Sequence, residues 1–318
     1  MNTLTRKTAG GLRCICAMAT AFKSNGLNGD DAPIDWPSQK KHIDRLNSGG
    51  VHAIAAAVTT SEAATMSHDE QIGLIRDVAA YQAQYCPQIP IIAGTGSNCT
   101  AEALTLTKRA IAVGADAALI GMPYYNKPTP RGQLAHYTCL ADTGAPIILY
   151  SVSSRTGRLL DLHVVAELAA NHENILGIKD AESPARFEQL RGMVPPDFVI
   201  WSGNDDQTFE AMKAGWCDGV VSVTANIVPD KIKRMVDVGA IGLSFDWENA
   251  EAINRSLVRL TQLAFCETNP IPVKHMLALM GVFKQAAFRL PLVPMSDADK
   301  LEQIRQELLQ LDLIPSGK

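Results

Sequence analysis

The sequence predicts an α/β protein, a (β/α)8 barrel over residues 1–240 with a helical subdomain over residues 241–318 packed on it. Short apolar, β-branched runs alternate with longer amphipathic segments, and the runs recur about every 30 residues, the length of one βα unit. Eight such runs indicate a closed parallel barrel. The predicted strands end near Thr20, Val58, Thr95, Met122, Tyr150, Lys179, Trp201 and Val223.

Helices with plausible N-terminal caps fill the intervals between these runs. The predicted barrel helices include Ser38–Leu46, Ser67–Tyr85, Thr100–Val113 and Asp161–Ala170. Beyond the barrel, Asp246–Cys266, Pro272–Gly281 and Ser296–Leu311 are predicted as helices with no strands between them. An open, doubly wound sheet is the alternative fold. Its glycine fingerprint has one candidate, Gly94–Asn98, which lacks the third glycine.

Composition narrows the class of partner and the compartment. The 318 residues carry a net charge of −4 without a basic run, which argues against nucleic acid and anionic membrane surfaces. No apolar run reaches the roughly 20 residues that cross a bilayer. Seven scattered cysteines are typical of reduced thiols and predict a cytoplasmic protein. No pair of histidines has metal-ligand spacing, so neither a metal site nor a cofactor site is predicted.

Lys179 is the strongest candidate for chemistry. It ends the apolar run Asn174–Asp180, and active sites of parallel barrels lie at the carboxyl ends of the strands. Desolvation there favours the neutral, nucleophilic amine. The alternative is a lysine whose ammonium group reaches solvent from the strand end.

Three loops at other strand ends carry further candidates. Tyr150 offers a phenol that can relay protons, and Arg155 offers a guanidinium that can bind a carboxylate with two hydrogen bonds. The alternatives are a packed tyrosine ring and a surface arginine. Residues 58–62 supply hydroxyls and N–H groups for an anion, although the same sequence suits a helix cap. The aromatic loop of residues 123–128 fits an interface or a lid as well as core packing.

Several motifs taken together resemble the dihydrodipicolinate synthase and N-acetylneuraminate lyase family of barrels, from about Leu12 to Ile314. The motifs are GTGSNCTAEA (94–103), PYYNKP (123–128), GIKDA (177–181), WSGND (201–205), GVVSVTAN (219–226) and NPIPVK (269–274). The spacing of Tyr150 and Arg155, together with the RLP motif at 289–291, is most similar to the dihydrodipicolinate synthase branch.

The resemblance implies a cofactor-free condensation of pyruvate with L-aspartate 4-semialdehyde to 4-hydroxy-tetrahydrodipicolinate, in lysine and diaminopimelate biosynthesis. It implies that Lys179 forms a Schiff base with pyruvate while Tyr150 relays protons with Thr59 and with Tyr125 of a neighbouring subunit. The other implied substrate-binding residues are Thr60 for the pyruvate carboxylate, Arg155 for the semialdehyde carboxylate, and Gly203 and Val221 through backbone carbonyls. The implied assembly is a homotetramer of two tight dimers.

The chain departs from the family pattern in the loops that flank these residues. Val58 and Ser61 replace glycines in the anion-binding segment 58–62, the carboxylate cradle. Either residue would strain this segment if its position required a positive φ. Ser151 and Ser153 replace Asn and Pro, and Asp180 replaces Glu. Two other functions therefore stay open: a sister enzyme that cleaves or dehydrates a longer 2-keto acid, and a non-catalytic paralogue that binds one.

Inhibition by L-lysine is a further implication of the resemblance. The chain keeps four residues of the family's effector site, namely His68, Asn98, Glu102 and Tyr124, but it has Ala63 where Ser is common and Gln71 where some members have His. A buried Glu102 carboxylate is expected to bind the effector's amine. Its alternative role is a favourable charge in the first turn of a helix.

Overall fold

The computed structural model describes residues 4–26, 32–239 and 246–315, and its centre is a closed barrel of eight parallel strands. The strands follow chain order around the barrel, and β8 pairs with β1 to close it. The strands are β1 Cys14–Ala17, β2 Ala53–Ala56, β3 Ile91–Gly94, β4 Ala117–Gly121, β5 Ile147–Ser151, β6 Ile175–Asp180, β7 Val199–Ser202 and β8 Gly219–Ser222. The predicted barrel is confirmed.

Helices cover the outside of the barrel and form the C-terminal region. The α-helices are α1 Arg6–Ala9, α2 Trp36–Ser48, α3 His68–Tyr85, α4 Thr100–Ala112, α5 Pro130–Ala141, α6 Ser153–Thr156, α7 Leu162–Asn171, α8 Pro184–Arg191, α9 Asp205–Lys213, α10 Pro229–Val236, α11 Trp247–Ala264, α12 Ile271–Leu279 and α13 Ala298–Gln310. Short 3-10 turns follow β2 and β8, at Thr59–Ser61, Ala63–Thr65 and Thr224–Asn226.

Local sequence signals account for the helix starts. The Ser67 hydroxyl accepts a hydrogen bond from the Glu70 N–H at 3.2 Å, and the Glu70 carboxylate accepts one from the Ser67 N–H at 3.0 Å. This reciprocal pair satisfies two backbone donors that the first turn of α3 leaves free. Asp161 caps α7 in a similar way at 2.9 Å. The α2 helix begins two residues before its predicted start because Pro37 fits the first turn of a helix.

The first two strands end earlier than the sequence predicts. The paired part of β1 stops at Ala17 and not near Thr20, and β2 stops at Ala56 and not near Val58. Ala57 has a φ of 55°, in the left-handed region, so the extended backbone cannot continue past it. The chain turns there into the 3-10 turn Thr59–Ser61. The candidate residues Thr59 and Thr60 therefore lie on a turn above the barrel and not in the sheet.

The C-terminal helices pack on the barrel. The α11 helix lies against α9 and α10, and α12 and α13 lie against α11. The predicted boundary between residues 240 and 241 falls outside the described residues and stays a prediction. Among the helices that the structure describes, none is long and apolar enough to span a membrane.

Candidate active site

Lys179 lies in β6 at the mouth of the barrel, in register with Tyr150 of β5 and Trp201 of β7. Its residue surface is only 6% exposed, which contradicts the alternative of a solvent-reaching lysine. Its Nζ lies 4.4 Å from the centroid of the Tyr150 ring and has no hydrogen-bond or ion-pair partner among the described residues. Burial lowers the pKa of Lys179 to about 8. The amine is therefore buried, unpaired and partly neutral near physiological pH.

Gly203 provides room beside this amine. A Cβ at position 203 would lie 3.1 Å from the Lys179 Cε and 2.6 Å from the Ala181 Cβ, closer than real side chains pack. The Gly203 N–H donates to the Asp180 carbonyl at 2.8 Å, which fixes this close approach. The glycine is required here by space and not by a positive φ. It allows the lysine chain to pack against the backbone at this position.

Asp205 is an acidic residue whose charge acts on the Lys179 amine. It starts α9, and its buried carboxylate accepts hydrogen bonds from the Ser222 hydroxyl, from the Val223 N–H at 3.0 Å and from the Thr224 N–H at 3.1 Å. Its negative charge raises the pKa of Lys179, against the larger effect of burial, while Arg155 lowers it. Asp205 can therefore balance a positive charge that forms on the lysine nitrogen.

Tyr150 is the phenol that faces the amine. Burial raises the pKa of Tyr150 to about 12, while the charge of Arg155 and a hydrogen bond with the Thr59 side chain act in the opposite direction. The phenol is therefore protonated at neutral pH, and Thr59 lies close enough to influence it. A protonated phenol next to the amine can give up and recover a proton in turn.

Asn269 joins the residues predicted for the two substrate carboxylates. Its side-chain amide donates to the Thr60 hydroxyl at 3.0 Å, and its carbonyl accepts from the Arg155 guanidinium at 3.4 Å. Thr60 is buried, whereas Arg155 is exposed at the barrel mouth. The side-chain carbonyl Oδ1 of Asn269 is buried without a hydrogen-bond partner among the described residues. Such an acceptor is free to bind a donor on a ligand.

The two departures in the cradle cause no backbone strain. Val58 is extended at φ −103°, and Ser61 does not have a positive φ; the left-handed residues are Ala57 and Glu62, at 55° and 59°. The expectation that a side chain at 58 or 61 would strain the cradle is therefore wrong in its premise. The Ser61 hydroxyl donates to the Met18 carbonyl at 2.7 Å and so attaches the turn to the end of β1.

Two serines that depart from the family pattern, Ser151 at the end of β5 and Ser153 after it, are hydrogen-bonded to Glu182. The Glu182 carboxylate accepts from the Ser151 hydroxyl at 3.1 Å and from both the hydroxyl and the N–H of Ser153 at 2.7 Å. Ser153 begins the short helix α6 that carries Arg155. These hydrogen bonds hold the turn that carries Arg155.

Tyr125 lies apart from the other predicted catalytic groups in the single chain. Its side chain is 88% exposed at a φ of 66°, and Tyr124 beside it is 48% exposed. The alternative of core packing for this loop is contradicted. Asn126 fixes the loop by donating to the Asn98 carbonyl at 2.7 Å. Large exposed aromatic side chains of this kind are typical of interfaces.

The four predicted effector residues lie on neighbouring loops and helix starts. Tyr124 belongs to the loop bonded to Asn98, His68 is the first residue of α3, and Glu102 is in the first turn of α4. Glu102 is exposed in the single chain, and its carboxylate accepts from the Ser97 hydroxyl at 2.7 Å. The lysine site across a dimer interface therefore stays a prediction, since a single chain leaves this carboxylate exposed.

Val221 and Gly203 complete the predicted set. Val221 is buried in β8 and pairs with Ile15 of β1, while Gly203 follows β7 next to Lys179. Sequence reasoning missed Asp205, Asn269 and Glu182. Asp205 lies in the WSGND motif and Asn269 in the NPIPVK motif. An acidic residue between a predicted strand and a predicted helix was the signal that could have identified Asp205.

A buried, unpaired lysine that faces a phenol at the mouth of a parallel barrel defines a class I lyase, an enzyme that forms a Schiff base with its substrate. Residues 12–310 match the dihydrodipicolinate synthetase family. The chain therefore belongs to this family, and the predicted resemblance is confirmed.

Relatives and solved structures of this family cover nearly the whole chain. The 4-hydroxy-tetrahydrodipicolinate synthase of Methanosarcina barkeri is 40% identical over 290 residues, 89% of this chain and 94% of that protein. The chloride-inhibited dihydrodipicolinate synthase of Acinetobacter baumannii, complexed with pyruvate, is 37% identical with a TM-score of 0.87, covering 95% of this chain and all of that one. The enzyme of Cyanidioschyzon merolae with lysine bound is 32% identical with a TM-score of 0.86, covering 95% and 98%.

Proposed function

We propose that this enzyme condenses pyruvate with L-aspartate 4-semialdehyde to give 4-hydroxy-tetrahydrodipicolinate and water, a step of lysine and diaminopimelate biosynthesis. The observation that carries the proposal is the unpaired Lys179 amine against Tyr150, with Thr60 and Arg155 joined through Asn269 beside it. The reaction predicted from the sequence is also the one for which the curated relatives are named.

The chemistry begins with the neutral Lys179 amine, which attacks the ketone carbon of pyruvate. Loss of water leaves an iminium ion, and loss of a methyl proton then gives an enamine. The enamine carbon adds to the aldehyde, and the substrate's own amine displaces the lysine as the ring closes. The iminium itself takes up the electron pair, so the reaction proceeds without an added metal or organic cofactor.

The surrounding groups have separate roles in these steps. Tyr150 moves protons to and from the reacting atoms, with Thr59 as its hydrogen-bonding partner. Asp205 offsets the charge of the iminium because it is buried within electrostatic reach of Lys179. The Thr59–Ser61 turn receives the pyruvate carboxylate, with Thr60 as its main contact. Arg155 receives the carboxylate of the semialdehyde, with Gly203 and Val221 lining the pocket.

The structure weakens the reasons for the two other functions. A longer 2-keto acid was suggested by Val58 and Ser61, but neither occupies a left-handed position and Ser61 gains a hydrogen bond to β1. Ser151 and Ser153 turn to Glu182 and leave Arg155 in place. A paralogue that only bound a 2-keto acid would have no use for an unpaired buried amine, since burial without a partner costs stability.

Assembly is the second element of the proposal. We infer a homotetramer built from two tight dimers, in which Tyr125 completes the proton relay of a neighbouring subunit. Its 88% exposure and the fixed loop around Asn126 support this role. We further infer that L-lysine binds weakly across the tight dimer at His68, Asn98, Glu102 and Tyr124. An exposed Glu102 in the single chain fits a ligand that becomes enclosed between two chains.

The compartment follows from cysteine chemistry. All seven cysteines lie in the described part of the chain and are free thiols. A reducing compartment keeps thiols in this state, so we place the enzyme in the cytoplasm.

Labelling with borohydride tests the mechanism directly. Labelled pyruvate and borohydride should fix the label on Lys179, as peptide mapping would show. Label on a different lysine, or none, contradicts the Schiff base. The substrate is tested separately by supplying pyruvate with aspartate semialdehyde or, in parallel reactions, several longer 2-keto acids. Turnover of a longer 2-keto acid without turnover of the semialdehyde contradicts the proposed condensation.

A lysine titration tests the effector site. Millimolar lysine should inhibit the parent enzyme and inhibit Glu102→Ala less. Equal inhibition of both proteins, or none of the parent, contradicts lysine binding at this site.

A further inference from the structure

The turn that forms the carboxylate cradle ends in an unfavourable backbone conformation. Glu62 follows the 3-10 turn Thr59–Ser61 and has φ 59° and ψ 34°, in the left-handed region. Residues with a Cβ seldom adopt this conformation unless their surroundings impose it. Contacts outside the turn must therefore hold Glu62 in place.

Those contacts come from the C-terminal helical region. One Glu62 carboxylate oxygen pairs with the Lys274 ammonium group, and the other accepts from the Arg289 N–H at 3.3 Å. The side chains of Glu62 and Lys274 are both 0% exposed. The Lys274 Nζ also lies 4.3 Å from the Phe22 ring centroid and 4.7 Å from that of Phe288. Both charges are enclosed, and each is satisfied chiefly by the other.

The same region holds the chain on both sides of Glu62. Asn269 donates to the Thr60 hydroxyl at 3.0 Å, and the Arg289 guanidinium donates to the Thr65 carbonyl at 3.3 Å and to the Glu70 carboxylate at 2.8 Å. The cradle and the segment that follows it are thus attached at several points to residues more than 200 positions away in the chain. None of these contacts comes from the strands of the barrel.

We propose that Lys274 is a positioning residue for pyruvate: its ion pair with Glu62 fixes the cradle turn, so that Thr59 meets Tyr150 and Thr60 meets the pyruvate carboxylate. This inference rests on the proposed function. Stability alone is a weak reason for such a pair, because apolar side chains of similar volume often replace a buried ion pair without loss. The ion pair instead has a geometric role, since it holds the left-handed Glu62 next to the substrate-binding turn.

Removal of the whole pair separates positioning from stability. Lys274→Met alone leaves the Glu62 charge buried and should lower the thermal unfolding midpoint. The double variant Glu62→Gln, Lys274→Met removes both charges and should recover much of that loss. We expect the half-saturating pyruvate concentration for borohydride trapping to remain roughly 10- to 100-fold above the parent value in the double variant, since small misplacements of binding groups have effects of that size. The KM for the semialdehyde should change much less.

Lys300→Met is the control for loss of a C-terminal lysine, because Lys300 lies on α13 and its half-exposed ammonium group pairs with the nearby Asp297 at 3.5 Å. It should leave pyruvate binding unchanged. A refolded double variant with the parent's pyruvate affinity would overturn the proposal and leave the pair a structural role only. If the parent itself is not trapped by pyruvate and borohydride, the proposed function fails, which is a result distinct from either outcome.

Discussion

Lys179 and Lys274 are two buried lysines in opposite surroundings. Burial lowers the pKa of both amines to about 8. Lys179 faces a tyrosine ring, packs closely against Gly203, and has no ion-pair partner among the described residues. Lys274 is paired with Glu62 and packed between two aromatic rings. Lys274 has a similar pKa, but its amine is engaged by the Glu62 carboxylate.

The comparison shows that a lowered pKa does not identify a nucleophile. A buried lysine can be kept charged by an enclosed carboxylate, and its role is then to hold another chain segment. A nucleophile also needs an unpaired amine and room for a substrate carbon, since reacting atoms must approach within about 3–3.5 Å. Of these two lysines, only Lys179 has an unpaired amine.

The largest expected difference between the lysines is in activity. Lys179→Met should abolish borohydride trapping and lower kcat/KM by at least about 10³-fold, because the covalent route is lost. The Lys274→Met variant should still be labelled on Lys179 at saturating pyruvate, because the Lys274 amine takes no part in the reaction. Quantitative labelling followed by peptide mapping measures both results. Label on Lys274 in the parent would break the comparison.

Stability should respond in the opposite order. Lys274→Met should lower the free energy of unfolding by about 3–5 kcal/mol, because it leaves the Glu62 charge buried and unpaired. Lys179→Met should not lower it, because the variant removes an amine that is buried without a partner. Urea unfolding followed by circular dichroism gives both values. A larger loss in Lys179→Met than in Lys274→Met would contradict the assignment of the paired and unpaired sites.

The space beside Lys179 is tested by Gly203→Ala. The added Cβ would press on the Lys179 Cε and the Ala181 Cβ, and overpacking of this kind typically costs about 1–3 kcal/mol. The free energy of activation for imine formation should rise by more than the free energy of unfolding falls. Gly215→Ala is a useful control: although Gly215 has a φ of 76°, a Cβ there meets no atom within 4 Å, so backbone strain alone is reported. Equal rates of imine formation in Gly203→Ala and the parent would show that the space is not needed.

The pH dependence of imine formation tests the lowered pKa of the Lys179 amine. Below pH 8 the Lys179 amine is mainly protonated, so the rate should rise about tenfold per pH unit as the neutral fraction grows. The rate should level off above about pH 8, where the amine is neutral. Rapid-quench trapping from pH 6 to 10 follows this curve, and Lys274→Met should have the same midpoint. A midpoint near the ordinary lysine value of 10.5 would contradict the desolvated amine.

The barrel could be predicted from the sequence because its signals are local. Strand runs, caps such as Ser67 and Asp161, and the strand-end position of Lys179 all depend on neighbouring residues. The residues at which the strands end could not be predicted. The left-handed Ala57, which ends β2, has no sequence signal of its own. The pairing of Glu62 with Lys274 was equally invisible, because it joins residues 212 positions apart. The hydrogen bonds between Glu182 and Ser153 could not be predicted either, because they join residues 29 positions apart.

An unpaired amine does not choose its reaction partner once it has lost its proton. Any small aldehyde or 2-keto acid that enters the barrel mouth meets the same Lys179 nitrogen, and imines form reversibly with all of them. Discrimination must then be made after the first bond, by whichever adducts the Thr60 turn and Arg155 retain long enough to react further. We therefore expect the enzyme to select its substrate through the lifetime of the adducts, and we expect unproductive carbonyl compounds to inhibit it slowly and reversibly.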